Sequence, residues 1–75
     1  MALDEWHEVA GPGHEFILTL HKTGTRKYAA VHYNEELDQY EVGTWEGSVE
    51  AWSPFDSFIH YQIASTFLHN WTRTH

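Results

Sequence analysis

Histidine and carboxylate side chains are the residues here that could do chemistry, because together they bind metal ions or transfer protons. Seven of the 75 residues are histidines, at positions 7, 14, 21, 32, 60, 69 and 75. His7 and His14 each precede a glutamate, but neither begins the HExxH pattern that sets two imidazoles on one helical turn. The sequence therefore predicts scattered histidines rather than a recognised metal motif.

One histidine gains carboxylates on both sides once the predicted strands are paired. With Leu18 opposite Ala29, the side chains of Glu15, His32 and Glu41 form one row on the outer face of the sheet. Both imidazole and carboxylate suit zinc, yet a flat, open sheet gives such ligands no supporting shell. We therefore predict ordinary cross-strand pairing with no metal and no cofactor. A histidine–carboxylate metal-binding protein is our third functional hypothesis.

Catalysis has little support in the sequence. The chain has no cysteine, which excludes thiol nucleophiles, thiolate zinc sites and disulfides. No glycine-rich phosphate loop is present, and no Ser, His and acid residues stand out as a nucleophile with its base. Glu35 and Glu36 lie on a polar turn, where they lack the burial that tunes a catalytic acid. We predict that the protein is not an enzyme.

The charge distribution indicates binding instead. The chain has 11 acidic and 4 basic residues, for a net charge of -7, and residues 28–72 contain no Lys or Arg. Such a surface repels phosphate, so we expect no direct nucleic-acid binding and predict a basic partner protein, of the kind that binds nucleic acid. The predicted contacts are six carboxylates and one aromatic anchor: Glu35, Glu36, Asp38, Glu41, Trp45, Glu46 and Glu50.

Short, acidic, cysteine-free chains of this kind are similar in general character to phage-encoded anti-defence proteins, anti-CRISPR proteins and DNA mimics among them. The likeness is one of size and charge and gives no residue a role. It implies an inhibitor that occupies a basic, nucleic-acid-handling surface of its partner. In an extended segment, alternate carboxylates such as Glu36 and Asp38 would lie about 6.5 Å apart on one side, as a row of negative charge.

The elements that must position these residues form an α+β fold in our prediction. Alternating apolar residues predict strands at 14–22, 27–33 and 39–46, connected as an antiparallel meander. A helix-start pattern and an apolar residue at every fourth position predict one long C-terminal helix over 53–73. The start pattern is Ser53, Pro54 and Asp56, and the apolar stripe is Phe55, Ile59, Ile63, Phe67 and Trp71. We expect a three-stranded meander packed against this helix in a single domain, 1–75.

Residues 1–10 fit a short helix and a strand equally well. A helix there would give the order α-β-β-β-α, and our preferred interpretation is an arm that folds back across the domain. The segment Gly11-Pro12-Gly13 ends this element in either case.

The predicted helix also suggests a second functional hypothesis. Between Pro54 and Thr72 its only formal charge is Asp56, so apolar surface covers much of its circumference. Exposed apolar patches mark interfaces, and a homodimer would enlarge a small core. We therefore consider a regulatory or structural homodimer that assembles through Phe58, Tyr61, Ala64 and Leu68.

The N-terminal residues MALDEW lack the basic and apolar regions of a signal peptide. No apolar run approaches the length that crosses a bilayer. We expect a soluble, cytoplasmic protein with no membrane partner.

Overall fold

One antiparallel sheet extends through most of the molecule. The computed structural model describes residues 5–11, 13 and 15–75, and its five strands pair in chain order. They are β1 (Trp6–Glu8), β2 (Phe16–Lys22), β3 (Lys27–Asn34), β4 (Gln39–Glu46) and β5 (Ser53–Phe58). A 3-10 turn, Val49–Ala51, precedes β5, and one α-helix, α1 (Tyr61–Thr72), follows it. Within the described ranges no helix has the length and apolar character needed to span a membrane.

The predicted three-stranded meander is wrong, although the broad α+β class holds. Strands β2, β3 and β4 lie where the apolar alternation placed them, and β1 and β5 extend the sheet at its two edges. His14, which the prediction placed at the start of the first meander strand, lies outside the described residues.

The N-terminal segment is an edge strand, which excludes the α-β-β-β-α order. Trp6 lies opposite Lys22 in an antiparallel register. The pairing continues on both sides of β1: the Val9 amide donates to the Thr19 carbonyl at 2.9 Å, and the Thr23 amide donates to the Glu5 carbonyl at 2.8 Å. Residues 1–4 of the predicted arm, and Pro12 of the predicted break, lie outside the described residues.

The long helix over 53–73 is wrong in its first part, because Ser53–Phe58 pairs with β4. Gly43 on β4 makes this pairing possible. A Cβ atom at Gly43 would lie 2.5 Å from the Ser53 carbonyl oxygen and 2.6 Å from the Pro54 Cα. Pairing with a strand that is distant in the chain therefore overrides the local helix-start signals. The helix α1 begins only at Tyr61.

The hydrophobic core lies between the sheet and α1. The helix buries Ala64 and Leu68 completely, while Ile59 is 71% exposed and Ile63 is 52% exposed. The predicted stripe is therefore wrong up to Ile63, whereas its last two members, Phe67 and Trp71, do pack against the core. The buried face follows the i, i+3, i+4, i+7 spacing that starts at Ala64. The buried core residues are Leu18, Leu20, Ala29, Val31, Val42, Ala64 and Leu68.

A bulge in β2 changes the register from the one that the sequence suggested. Leu18 lies opposite Val31, not Ala29, and the shift falls between Phe16 and Leu18. Ile17, the additional residue, is 43% exposed. The bulge turns Phe16 onto the outer face, where its ring lies 5.3 Å from that of Trp45.

Candidate functional site

Side-chain hydrogen bonds fix the conformation of the β3–β4 turn. The Asn34 Oδ1 accepts hydrogen bonds from the backbone amides of Glu36 at 3.0 Å and Leu37 at 3.2 Å. Asp38 takes a left-handed backbone conformation, φ 53°, which Asp tolerates better than most residues. The Tyr33 hydroxyl donates to the Asp38 Oδ1 at 2.6 Å. We call the four loop residues, 35–38, the acidic tip.

Every residue of the acidic tip faces solvent. Glu35, Glu36 and Asp38 are exposed, and Leu37, between them, is 62% exposed. The hydrogen bond to the Asp38 carboxylate, then desolvation and nearby negative charge, raise the pKa of Tyr33 above its ordinary value of 10.0. The tip therefore combines a fixed backbone with three exposed negative charges and one exposed apolar side chain.

The rest of the predicted acidic contact set is divided over the molecule. Glu46 and Glu50 are exposed, but Glu46 ends β4 and Glu50 follows it, roughly 24 Å or more from the tip at the usual rise per strand residue. Trp45 is only 6% exposed and packs among other rings, so its side chain offers no surface anchor. Because Glu36 and Asp38 lie in a turn, they do not form the extended row that the sequence suggested.

Glu41 belongs to the histidine row, which the structure does bring together. The His32 Nδ1 lies 3.0 Å from the Glu41 Oε1, and the His32 Nε2 lies 3.4 Å from the Glu15 Oε1. The Asn34 side-chain amide donates to the other Glu41 oxygen at 3.3 Å. The carboxylates accept bonds from both ring nitrogens at once only when the imidazole is protonated. In the described part of the chain, no three His, Asp or Glu side chains are arranged to hold a metal ion.

Two of the four residues of the predicted helical dimer surface are buried, while Phe58 is half-buried and Tyr61 is 38% exposed. Ala64 and Leu68 are fully buried against the sheet. The Tyr61 ring packs edge-on against Tyr40 with centroids 5.9 Å apart, and Phe58 lies 5.1 Å from the ring of Phe67. Ala64 and Leu68 therefore cannot contact a second copy while the core is intact.

The basic residues gather at the other end of the sheet from the acidic tip. Lys22, Arg26 and Lys27 surround the β2–β3 turn, and the Lys22 ammonium donates to the carbonyl of His75 beyond the end of α1. The helix begins beside Tyr40, at the acidic end. Its positive N-terminus therefore lies toward the end of the sheet that carries the acidic tip, and its negative C-terminus lies toward the basic turn.

A cavity of about 440 Å³ opens between the C-terminal turn of α1 and this basic end of the sheet. Its inner wall includes Trp6 and Trp71, whose rings cross edge to face at 5.8 Å. Lys27 and Glu46, from neighbouring strands, are its exposed charged groups. The cavity is distant from the acidic tip and shares no residue with it.

Three residues that form or support the tip were not among the predicted contacts. They are Tyr33 and Asn34, which bond to the tip, and Leu37 within it. An Asn that opens a polar turn is a known signal, since its side chain mimics a backbone turn. Leu37 gave no such signal, because single apolar residues are common on protein surfaces.

Comparison with known proteins gives no assignment, since no protein-family model, no curated protein and no solved structure matches this chain. The geometry of the described residues therefore carries the functional interpretation.

Proposed function

We propose that this chain is a non-catalytic, acidic protein-binding module whose acidic tip occupies a basic surface of a partner protein. The observation that carries the proposal is that the tip is both ordered and exposed. Asn34 and Tyr33 fix the turn through their side chains, while Glu35, Glu36 and Asp38 face solvent. A preorganised loop gives up little conformational freedom on binding, so more of its contact energy appears as affinity.

The separation of charge along the sheet supports this proposal. The tip lies roughly 24 Å from the turn that carries Arg26 and Lys27, whereas salt screens exposed charges beyond about 8 Å at physiological ionic strength. The basic turn therefore does not cancel the field of the tip. A basic partner surface would meet an uncompensated cluster of three carboxylates.

Leu37 gives the tip a means of contact besides charge. Its side chain is 62% exposed between the three carboxylates. Interfaces commonly place an apolar contact at the centre and charged groups at the rim, where the charges increase the association rate. We expect Leu37 to provide the apolar contact and the carboxylates to orient the approach.

Proteins that handle nucleic acid carry the kind of basic surface that this tip fits, because they neutralise phosphates with Lys and Arg. The proposal is therefore that the chain inhibits such a partner by blocking that surface, in the manner of phage anti-defence proteins, anti-CRISPR proteins and DNA mimics. The tip is a compact cluster and not a long row. It should fill one basic pocket rather than imitate a length of nucleic-acid backbone.

Two variants that each remove three negative charges, at different places on the molecule, test the proposal. The tip variant carries Glu35→Gln, Glu36→Gln and Asp38→Asn. Asn tolerates the left-handed backbone and keeps an acceptor for Tyr33. The control variant, at the other end of the sheet, carries three exposed changes: Glu5→Gln, Glu46→Gln and Glu50→Gln.

Each variant and the wild type should be used to capture proteins from a lysate at low and high salt. We expect basic, nucleic-acid-binding proteins on the wild type and the control, and their loss from the tip variant and at high salt. For a captured protein made pure, the tip variant should weaken binding by at least about tenfold, equal to about 1.4 kcal/mol. Equal loss with both variants would show that net charge alone is responsible. Capture of the same proteins by the tip variant would refute the proposal.

A further inference from the structure

The cavity at the basic end of the sheet has the size and lining of a small-molecule site. Its volume, about 440 Å³, lies within the range of roughly 300–1,000 Å³ that ligand pockets occupy. Such pockets combine apolar, often aromatic walls with a few polar groups that orient the ligand. Here the indole rings of Trp6 and Trp71 form the aromatic wall, and Lys27 and Glu46 supply the charged groups. None of these residues belongs to the acidic tip, so a ligand in this cavity would be separate from the proposed partner.

A flat ring already packs against the aromatic wall. The His75 imidazole stacks on the Trp71 indole, with centroids 4.0 Å apart and planes inclined by 9°. Trp6 and Trp71 are only partly buried by the core, and both of them line the cavity. Aromatic rings that pack on one another gain stability beyond the apolar area that they bury. The wall therefore favours a ligand that carries an aromatic ring.

The two charged groups of the cavity lie side by side without pairing. Lys27 lies opposite Glu46 in the β3–β4 register, and both side chains are exposed. Opposite charges at such positions can form a cross-strand pair. In the described part of the chain, however, the ion pairs are those that His32 forms with two carboxylates. The nearby Lys22 ammonium already has an acceptor, the His75 carbonyl. Lys27 and Glu46 therefore present to the cavity a cation and an anion that do not neutralise each other.

We propose that this cavity binds a small zwitterion that carries an aromatic ring, the class to which the aromatic α-amino acids belong. The ring of the ligand packs against the indoles of Trp6 and Trp71. The carboxylate of the ligand binds the Lys27 ammonium, and its ammonium group binds the Glu46 carboxylate.

The charges at the cavity select this class of ligand. A ligand with a positive charge alone gains Glu46 but is repelled by Lys27. A ligand with a negative charge alone gains Lys27 but is repelled by Glu46 and by a chain of net charge -7. An uncharged ring gains the aromatic contact and leaves both charged groups in water. Only a zwitterion gains the wall and both charged groups together.

Four compounds that share an indole ring and differ in charge test the proposal. They are L-tryptophan, a zwitterion; tryptamine, a cation; indole-3-propionate, an anion; and indole, which is neutral. An NMR titration of the backbone amides measures each affinity and locates the site. We expect L-tryptophan to bind with a Kd of about 1 mM or lower. Tryptamine and indole-3-propionate should each bind at least about threefold more weakly, and indole about tenfold more weakly, since an exposed ion pair contributes little.

Two variants, each lacking one charge, assign the contacts by opposite effects. Lys27→Met should weaken L-tryptophan and indole-3-propionate about threefold, and should leave tryptamine unchanged or bound more tightly. Glu46→Gln should weaken L-tryptophan and tryptamine about threefold, and should leave indole-3-propionate unchanged or bound more tightly. Both residues are exposed, so neither change should disturb the fold. Glu8→Gln removes an exposed carboxylate that does not line the cavity, and as the matched control it should change no affinity by more than about twofold.

The position of the shifted amides separates this site from any other. With L-tryptophan, the amides of Thr44, Ala51 and Ser53 should shift, because these residues line the cavity. Binding that leaves these three amides unchanged overturns the proposal. Indole that binds as tightly as L-tryptophan also overturns it, because ring contact alone would then explain the affinity. No binding of L-tryptophan at about 10 mM refutes it as well, and says nothing against the acidic tip.

Discussion

The two faces of the sheet are covered by different means. On one face, α1 lays Ala64 and Leu68 over aliphatic side chains such as Val31 and Val42, all of them fully buried. On the other face no described α-helix is present, yet Ala30 is fully buried and Trp45 is 6% exposed. The comparison shows that large rings packed against one another on a sheet can replace a second helical layer.

Ring packing builds this second cover. Tyr28 and Trp45 stack from adjacent strands, with centroids 5.1 Å apart and planes inclined by 11°. Trp52 comes from the connection before β5 and meets Phe16 edge-on at 5.0 Å. Such pairs contribute about 0.5–1.5 kcal/mol each beyond the area they bury. A chain of 75 residues thus gains a second small core without a second α-helix among the described residues.

The largest effect should come from Trp45→Ala, which tests whether the ring cover is a true core. Removal of a buried Trp costs about 3–5 kcal/mol of unfolding free energy, and Leu68→Ala on the helix face should cost about 2–5 kcal/mol. Urea denaturation of both variants gives the comparison. If Trp45→Ala lost less than about 1 kcal/mol while Leu68→Ala lost several, the ring face would be ordinary surface.

A smaller loss of stability should follow from Gly43→Ala, because Gly43 lies against both the β5 backbone and the Trp52 ring. The added Cβ would lie 2.6 Å from the Pro54 Cα and 2.8 Å from the Trp52 Cη2. Such overpacking costs about 1–3 kcal/mol, and we expect it to loosen both β5 and the Trp52 ring.

Gly13→Ala is the matched control for this change, since no atom of the described residues beyond its chain neighbours lies within 4 Å of a Cβ at that position. Thermal unfolding of the two variants measures the difference, and hydrogen exchange localises it. Equal melting temperatures would show that β5 can shift without loss and that Gly43 is not needed for its pairing.

The smallest effect on stability should come from the acidic tip. Neither α1 nor the ring cluster buries the tip, and hydrogen bonds hold its conformation. The Asp38 carboxylate raises the pKa of Tyr33 above 10.0 in the folded protein. The contribution of this bond to stability is therefore complete below the ordinary pKa and is lost as the pH rises through the higher, folded-state pKa.

In Asp38→Asn the pKa of Tyr33 should fall toward its ordinary value, whereas Glu36→Gln should leave it unchanged. An NMR titration that resolves the individual tyrosine rings measures both variants. A Tyr33 pKa that does not respond to Asp38→Asn would show that the hydrogen bond does not order the tip in solution.

Much of the sheet could be predicted from the sequence, because its signal is local. The period-two alternation in β2, β3 and β4 places apolar side chains on one face whatever the rest of the chain does. The row of Glu15, His32 and Glu41 was predicted from the same alternation and does form, although through a bulge and a register of β2 that the alternation did not predict. The acidic turn at 34–38 was also evident, since polar residues interrupt the apolar pattern there.

Only the tertiary structure determines that residues 53–58 form a strand and not a helix, and which face of α1 is buried. The segment SPFDSF satisfies helix-start rules and strand pairing equally, and the partner that resolves the choice is β4, where Gly43 admits the Ser53 and Pro54 backbone. Likewise, the helix carries two apolar stripes in sequence. The stripe with Ala64 is buried because a small side chain lets the helix approach the sheet closely, which leaves Ile59 and Ile63 exposed. Local pattern fixes what an element can be, and contact with distant residues selects among the possibilities.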